Sequence, residues 1–228
     1  MINNGDKIAV VMITLNEQKA IRKVVNDIRS VDPRIEIIIV DSSTDDTPKI
    51  AKTLEIKVIR QFPAMGYGPA MDVALKASNK EVIITLDCDD TYPVDQIKSF
   101  SNFIFFEGYD VVDGNRLSSK PKNMPFINFI ANYLFALIAS VLFFERIYDL
   151  HSGMRAYKKK IIENIPYLVD GVSLPVELIL WPIRLGYKVK FVNINYKERL
   201  GMSKLEPLKA AWWTVVRILR ARFAKKKN

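Results

Sequence analysis

A single cysteine, Cys88, and a single histidine, His151, stand among 228 residues. A disulfide framework and any cysteine- or histidine-rich metal site are thereby excluded, and the thiol content suits a reducing compartment. Negative charge is the scarcer sign, with 25 acidic against 34 basic residues and a net charge of +9. A phosphorylated ligand, a polyanion or an anionic membrane surface is the natural partner of such a chain. The opening stretch MINNGDKIAVVMITLNE has no basic segment, long apolar run or small-residue cleavage site. No signal peptide is expected, and the chain is placed on the cytoplasmic side. Repeats and low-complexity linkers are absent too, which favours one large domain.

About half of the residues are apolar, and in the first half they are arranged as alternating strands and helices. Strands are expected at 7–14 (KIAVVMIT), 35–40 (IEIIIV), 56–60, 81–86 and 109–113, with helices at 17–31, 47–54 and 68–78. The order implies an α/β fold with a mainly parallel sheet covered by helices on both faces. Ligands in that architecture bind at the carboxyl ends of the strands. Asp41 follows one such strand in IIIVDSSTDDT, and Asp87 follows another in VIITLDCDDTYP.

The second stretch releases Asp87, Asp89 and Asp90 within four positions. Like charges this close require solvent or a shared cation. Asp87 and Asp89 can hold Mg²⁺ or Mn²⁺ while leaving coordination sites for diphosphate oxygens; a solvated turn is the alternative. Asp90 is expected to orient the loop or cap a helix beginning near Pro93. PAMGYGPAM, 63–71, offers backbone N–H groups before a helix for an anion. ERLGMSKL adds Arg199, Ser203 and Lys204, VVDGNRL adds Arg116, and DLHSGMRAY groups Asp149, His151 and Arg155 around a Ser-Gly turn. Arg155 has a structural salt bridge as its alternative, and His151 a packing role.

Residues 124–144 carry no charge in 21 positions. A true bilayer span is disfavoured, because Asn128 and Asn132 share a helical face and one crossing would separate residues after 145 from Asp87. The expected element, 124–146 at its widest, is a helix lying on a membrane surface or a buried one, with its asparagines toward the site. A helix follows at 173–185, a strand at 187–195 and a last helix at 205–224. Trp212, Val215, Val216, Leu219 and Phe223 share one face of the last helix, with Arg217, Arg220 and Arg222 elsewhere and Lys225, Lys226 and Lys227 at its end. Aromatics beside basic residues suit anionic headgroups; a helix packed on the domain with a solvated tail is the alternative. The expected division is a catalytic domain at 1–204 and a basic amphipathic helix at 205–228.

In series, ITLNE, IIIVDSSTDDT, GYGPAMDVAL, DCDDTYP, DGNRL, DLHSGMRAY, LPVELILWPIRLGY and RLGMSKL resemble family 2 glycosyltransferases of the GT-A fold. The likeness is to polyprenyl-phosphate sugar synthases, such as dolichyl-phosphate mannose or glucose synthase, over residues 7–206. It implies a nucleotide sugar across the first strands, touched by Leu15, Glu17, Asp41 and Cys88. Asp87 and Asp89 are then metal and diphosphate ligands, with Asp89 catalytic. Arg116 faces the acceptor phosphate as the second catalytic residue, helped by Asn132, His151 or Arg155, and Arg199, Ser203 and Lys204 close on the donor. Glu177 matches an acidic position near the site. Ser42 stands where many relatives have Asp, and Thr91 where mannose synthases often have Gln, which leaves GDP- and UDP-linked donors open. Competing readings are transfer to a glycan, protein or small molecule, and a non-catalytic membrane- or nucleic-acid-binding protein. The latter lacks a recognition module for nucleic acid.

Overall fold

The computed structural model describes residues 4–122, 124–171, 173–197 and 207–225. Seven strands form one sheet: β1 (Ile8–Thr14), β2 (Glu36–Asp41), β3 (Lys57–Arg60), β4 (Val82–Asp87), β5 (Val111–Asn115), β6 (Arg155–Lys158) and β7 (Val189–Asn193). Eight helices accompany them: α1 (Ile21–Val31), α2 (Thr47–Thr53), α3 (Tyr67–Lys76), α4 (Ile97–Phe105), α5 (Phe126–Phe143), α6 (Lys159–Asn164), α7 (Leu174–Arg184) and α8 (Pro207–Phe223). The strand order is β3-β2-β1-β4-β6-β5-β7, parallel except for β6, which runs antiparallel to both β4 and β5. That inserted strand, only RAYK, had no counterpart in the sequence reading.

Alternation along β1 explains the layering. Ile8, Val10 and Met12 enter a core shared with Ile21, Val24, Val25 and Ile28 of α1. Ala9 and Val11 face the opposite core, with Ala70, Met71 and Ala74 of α3 and the buried residues of α7. A strand buried on both faces must be apolar throughout, as β1 is. The chain winds outward from β1 through β2 to β3, then returns to place β4 on β1's other side. The crevice at this reversal, at the carboxyl ends of β1 and β4, is the expected ligand site.

Two helices, α5 and α8, differ from ordinary core helices. In α5 only Ala136 and Ala139 are buried, while Phe126, Ile127, Ile130, Tyr133, Leu134, Leu137, Ile138 and Val141 are exposed. It is, among the described residues, the one helix long and apolar enough to cross a bilayer, and 11% of its window is buried. The buried-helix expectation therefore fails. Asn132 directs its amide to the Met124 sulfur at 3.8 Å, just before the helix begins.

In α8 the apolar stripe Leu208, Trp212, Val215, Leu219 and Phe223 also faces outward. Its opposite face packs on α7 through Glu177, whose carboxylate accepts from Arg217 at 2.7 Å, from Arg220, from the Trp181 indole at 3.2 Å and from the Leu168 N–H at 3.0 Å. Glu177 and Arg217 are almost fully buried. Two arginines expected to meet headgroups thus neutralise an internal carboxylate, and Glu177 joins helices instead of facing a ligand.

Candidate active site

The sheet's register sets the first part of the site. Ile13 is paired with Asp87 on one side, while Thr14 is paired with Asp41 on the other. The loops that follow β1 and β2 are laced together: Asn16 N–H donates to Ser43 Oγ at 2.7 Å, Thr44 N–H to Asn16 Oδ1 at 2.9 Å, and Glu17 N–H to Thr47 Oγ1 at 2.9 Å. Asn16 occupies the left-handed region, φ 61°, which its short polar side chain tolerates. The paired loops form the wall on which Leu15 is exposed and Glu17 half-buried.

Asp41 sits deeper than the resemblance implies. Its carboxylate is fully buried, accepting from Thr14 Oγ1 at 2.7 Å, from Ser43 N–H at 3.2 Å and from the Arg60 guanidinium. Arg60, half-exposed at the end of β3 and 5.6 Å from the centre of the Phe62 ring, is the outermost group here. Any contact from Asp41 to a nucleotide passes through it. Sequence reasoning missed Arg60, since an arginine ending a four-residue strand carries no local signal.

Around Cys88 the negative charge converges. Burial pushes its thiol well up, and Glu17, Asp89, Asp87 and Asp41 push it further in the same direction. The thiol itself is buried, in the same core as Leu86 and Tyr92. Asp89 Oδ1 accepts from Thr91 Oγ1 at 2.6 Å and from Thr91 N–H at 3.2 Å, an arrangement that fixes the carboxylate in its turn. Asp90, at φ 63°, forms an ion pair with Lys23 at 2.9 Å. It orients the loop and caps no helix: α4 follows a short 3₁₀ turn over Val94–Gln96 without a side-chain cap.

The segment 149–155 closes the other side. A Cβ on Gly153 would lie 2.7 Å from Asp87 Oδ2, so glycine is required for the turn to approach the acid. Gly153 N–H donates to the Tyr92 hydroxyl at 2.6 Å, and Thr85 Oγ1 donates to the Gly153 carbonyl at 2.8 Å. Arg116 reaches this segment as a fork, Nε and Nη2 donating to the Asp149 oxygens at 2.7 and 3.0 Å. Burial works against the Arg116 charge, but Asp149 outweighs it and holds the guanidinium protonated. Its open face is covered by Tyr196, 5.5 Å from guanidinium to ring centre, and Tyr196 packs edge-on against Tyr92 at 5.0 Å. The pair Tyr92 and Tyr196, unread in the sequence, joins Arg116 to the acidic loop. Lys197 N–H then donates to the Thr91 carbonyl at 2.8 Å, leading the chain toward 199–204. Arg199, Ser203 and Lys204 themselves lie outside the described residues.

Two expectations are corrected here. Arg155 is buried, and its guanidinium is spent on Asp113, the Pro175 carbonyl and the Leu150 carbonyl, an internal ion pair in place of a phosphate contact. His151 uses Nε2 on Thr214 Oγ1 of α8 at 2.9 Å and its N–H on Asp149 Oδ1 at 2.9 Å. Burial pushes its imidazole down to about 4, so the ring is neutral at pH 7 and offers no charge to a phosphate. Gly68 is pressed on the Val169 carbonyl, where a Cβ would sit 1.8 Å away, so the absence of a side chain there serves packing.

Among the described residues no group of three or more His, Cys, Asp or Glu side chains stands together as a metal site. Asp87 and Asp89, two positions apart at the end of β4 and both acting on the Cys88 thiol, are hard oxygen donors of the kind that suits a cation completing its shell with ligand oxygens and water.

A seven-stranded α/β sheet with paired acids at its switch point is the architecture of a GT-A glycosyltransferase. Glucosyl-3-phosphoglycerate synthase from Mycobacterium tuberculosis, solved in complex with Mn²⁺, UDP and glucosyl-3-phosphoglycerate, superposes with a TM-score of 0.74 at 18% identity over 94% of this chain and 79% of that one. The family described as glycosyl transferase family 2 matches residues 9–166, and the chain belongs to it. A dolichyl-phosphate hexose transferase of Haloferax volcanii is 41% identical over 203 residues, 89% of this chain and 88% of that one. A polyprenol monophosphomannose synthase of Mycolicibacterium smegmatis is 25% identical over 213 residues, 86% and 80% of the two chains. The protein is a glycosyltransferase.

Proposed function

We propose that the chain transfers a hexose from a nucleotide-diphosphate sugar to a polyprenyl phosphate. The observation that carries this reading is the nearness of an acidic loop to an arginine held in a fixed orientation. Asp87 and Asp89 lie at the end of β4, and beside them Arg116 is held by Asp149, with Tyr196 in the electrostatic field of all three. The 41% identity to a dolichyl-phosphate hexose transferase supports the acceptor class. GDP-mannose, UDP-glucose and UDP-N-acetylglucosamine all remain candidate donors.

Asp87 and Asp89 are the residues that would hold Mg²⁺ or Mn²⁺; when bound, the cation offsets charge on the departing nucleoside diphosphate. Leu15, Glu17 and Arg60 line the nucleotide side, and Arg199, Ser203 and Lys204 supply further cationic and hydroxyl groups to the donor. Arg116 binds the acceptor phosphate. Such a phosphate is ionised near neutral pH, so its oxygen attacks the anomeric carbon without a strong general base. Alignment and charge stabilisation then account for the catalysis. In-line attack inverts the anomeric centre.

The exposed stripes of α5 and α8, the latter with Lys209 and Lys225 near its ends, support a reading in which the enzyme binds peripherally to an anionic membrane, at its cytoplasmic face. Incubation with labelled nucleotide sugars and polyprenyl phosphate tests the reading. Label that partitions into organic solvent supports it; label appearing only on water-soluble or protein acceptors overturns it.

A further inference from the structure

The acidic loop after β4 is fixed on one side by its own turn. Asp89 Oδ1 accepts from Thr91 Oγ1 and from Thr91 N–H, while the Thr91 carbonyl accepts from Lys197 N–H at 2.8 Å. Thr91 and Tyr92 are buried, and the Tyr92 hydroxyl accepts from Gly153 N–H. Between Asp89 and these residues stands Asp90 at φ 63°, a backbone region that a non-glycine residue enters at a cost. Its conformation sets the direction in which the chain leaves Asp89, and so the aim of the Asp89 carboxylate.

What holds Asp90 there comes from another element. Lys23 Nζ, on α1, donates to Asp90 Oδ1 at 2.9 Å and to Asp27 Oδ2, one turn further along the helix, at 2.6 Å. The Asp90 side chain is only 13% exposed, whereas half of the Lys23 side chain is in solvent. The helix is a firm base, since Ile21, Val24, Val25 and Ile28 are buried in the core that also holds Tyr92 and Val94. Lys23 thus ties the first turn of α1, which follows the Glu17 wall, to the loop that presents Asp89. It also offsets one of three neighbouring negative charges, Asp87, Asp89 and Asp90, and so eases their repulsion.

We propose that Lys23 is a positioning residue of the metal and diphosphate site, acting through Asp90 to hold the Asp89 turn in its cation-binding conformation. Its ammonium is committed to Asp90 and Asp27, so it works on the loop and not on a ligand. A partly exposed ion pair sustains a ratio of up to about fivefold between two loop conformations, so its loss is felt in affinity more than in the fold. The assignment rests on the reading of Asp87 and Asp89 as metal ligands, and the experiment separates the two. Mn²⁺ binding to the full chain is followed by the paramagnetic resonance signal of the free ion, with Mn²⁺ alone and with UDP or GDP added. Lys23→Met is expected to raise the Mn²⁺ dissociation constant about threefold to fivefold, with a melting temperature within about 4 °C of wild type and faster amide exchange at 88–92. Lys23→Arg, which keeps charge and donors, should retain the wild-type constant. Asp90→Gly accepts the positive φ without the ion pair, and adding Lys23→Met to it should cause no further loss. Lys76→Met removes the same charge from an ion pair with Asp72 on α3 and should leave Mn²⁺ binding unchanged. Unchanged Mn²⁺ affinity in Lys23→Met overturns the positioning role, and tighter binding does so too, by making Asp90 a third ligand that Lys23 had occupied. An equal loss in Lys76→Met reduces the effect to net charge, and a further loss in the double variant removes the route through Asp90; either overturns the proposal. A wild type that binds no Mn²⁺ under any of these conditions overturns the metal reading together with it.

Discussion

Replacing Asp149 by Asn tests how Arg116 is held. The carboxylate is fully buried and accepts from Arg116 Nε at 2.7 Å, Arg116 Nη2 at 3.0 Å, Arg116 N–H at 3.3 Å and His151 N–H at 2.9 Å. Asparagine keeps the volume but removes the charge and presents an amide N–H₂ to donors. Breaking a buried pair by removing one partner costs roughly 3–5 kcal/mol. At about 2–4 °C per kcal/mol for a chain of this size, the melting temperature should fall by roughly 6–20 °C. Calorimetry reads the shift, and a transfer assay on the folded variant at low temperature should show a raised acceptor KM with donor affinity retained. The acid limb supplies a second reading. Burial pushes the Asp149 carboxyl up, but Arg116 outweighs it and holds the group below the usual carboxylate range. A depressed folded value means stability that is present above the unfolded pKa and lost as pH falls through the folded one. The variant should therefore lack part of the wild type's acid-induced loss. A melting temperature within 2 °C of wild type, with acceptor KM unchanged, would refute the proposed grip on Arg116.

His151 acts with the same sign in a higher pH window: its folded value, about 4, lies below the ordinary 6.5, so the folded state binds fewer protons and loses stability as pH falls from 6.5 toward 4, by up to about 3 kcal/mol. His151→Asn should flatten that window in pH-dependent melts, and an unchanged slope would count against it. Glu177→Ala leaves Arg217 buried beside an emptied carboxylate site; roughly 3–5 kcal/mol of destabilisation is expected by denaturant titration, and a loss under 1 kcal/mol would show that the link between α7 and α8 matters little. Leu219→Glu, on the exposed stripe of α8, should weaken sedimentation with anionic vesicles while leaving nucleotide-sugar binding intact. Equal vesicle binding by this variant and the wild type would reject α8 as a docking face.

The parallel half of the fold was legible because its central strands β1, β2 and β4 are buried on both faces and read as continuous apolar runs, as in KIAVVMIT and IEIIIV. β6 escaped notice because RAYK is four residues long and carries a charge at each end. Its place between β4 and β5 depends on partners about 40 to 70 residues away. The acidic loop was visible locally, since a strand ending in clustered aspartates has no packing reason. Which cation meets which acid was not visible. Arg116 and Arg155 looked equivalent as basic residues near turns, yet one pairs with Asp149 at the site and the other with Asp113 inside the domain. Glu177 likewise acquired its partners 40 and 43 residues later in the chain. The spacing of Trp212, Val215, Leu219 and Phe223 defined a face, but not that it points outward while the arginine side is buried. Hydrophobic periodicity gives a stripe and not its direction.

The most direct test of the central claim is calorimetric titration of the wild type and Asp89→Ala with GDP-mannose, UDP-glucose and UDP-N-acetylglucosamine, each with Mg²⁺, with Mn²⁺ and with a chelator. The account predicts that one of these donors binds the wild type only when a divalent ion is present. It also predicts that Asp89→Ala, folded by its melting curve, loses that binding. Equal donor affinity in chelator, or an Asp89→Ala variant that binds and transfers as the wild type does, would contradict it.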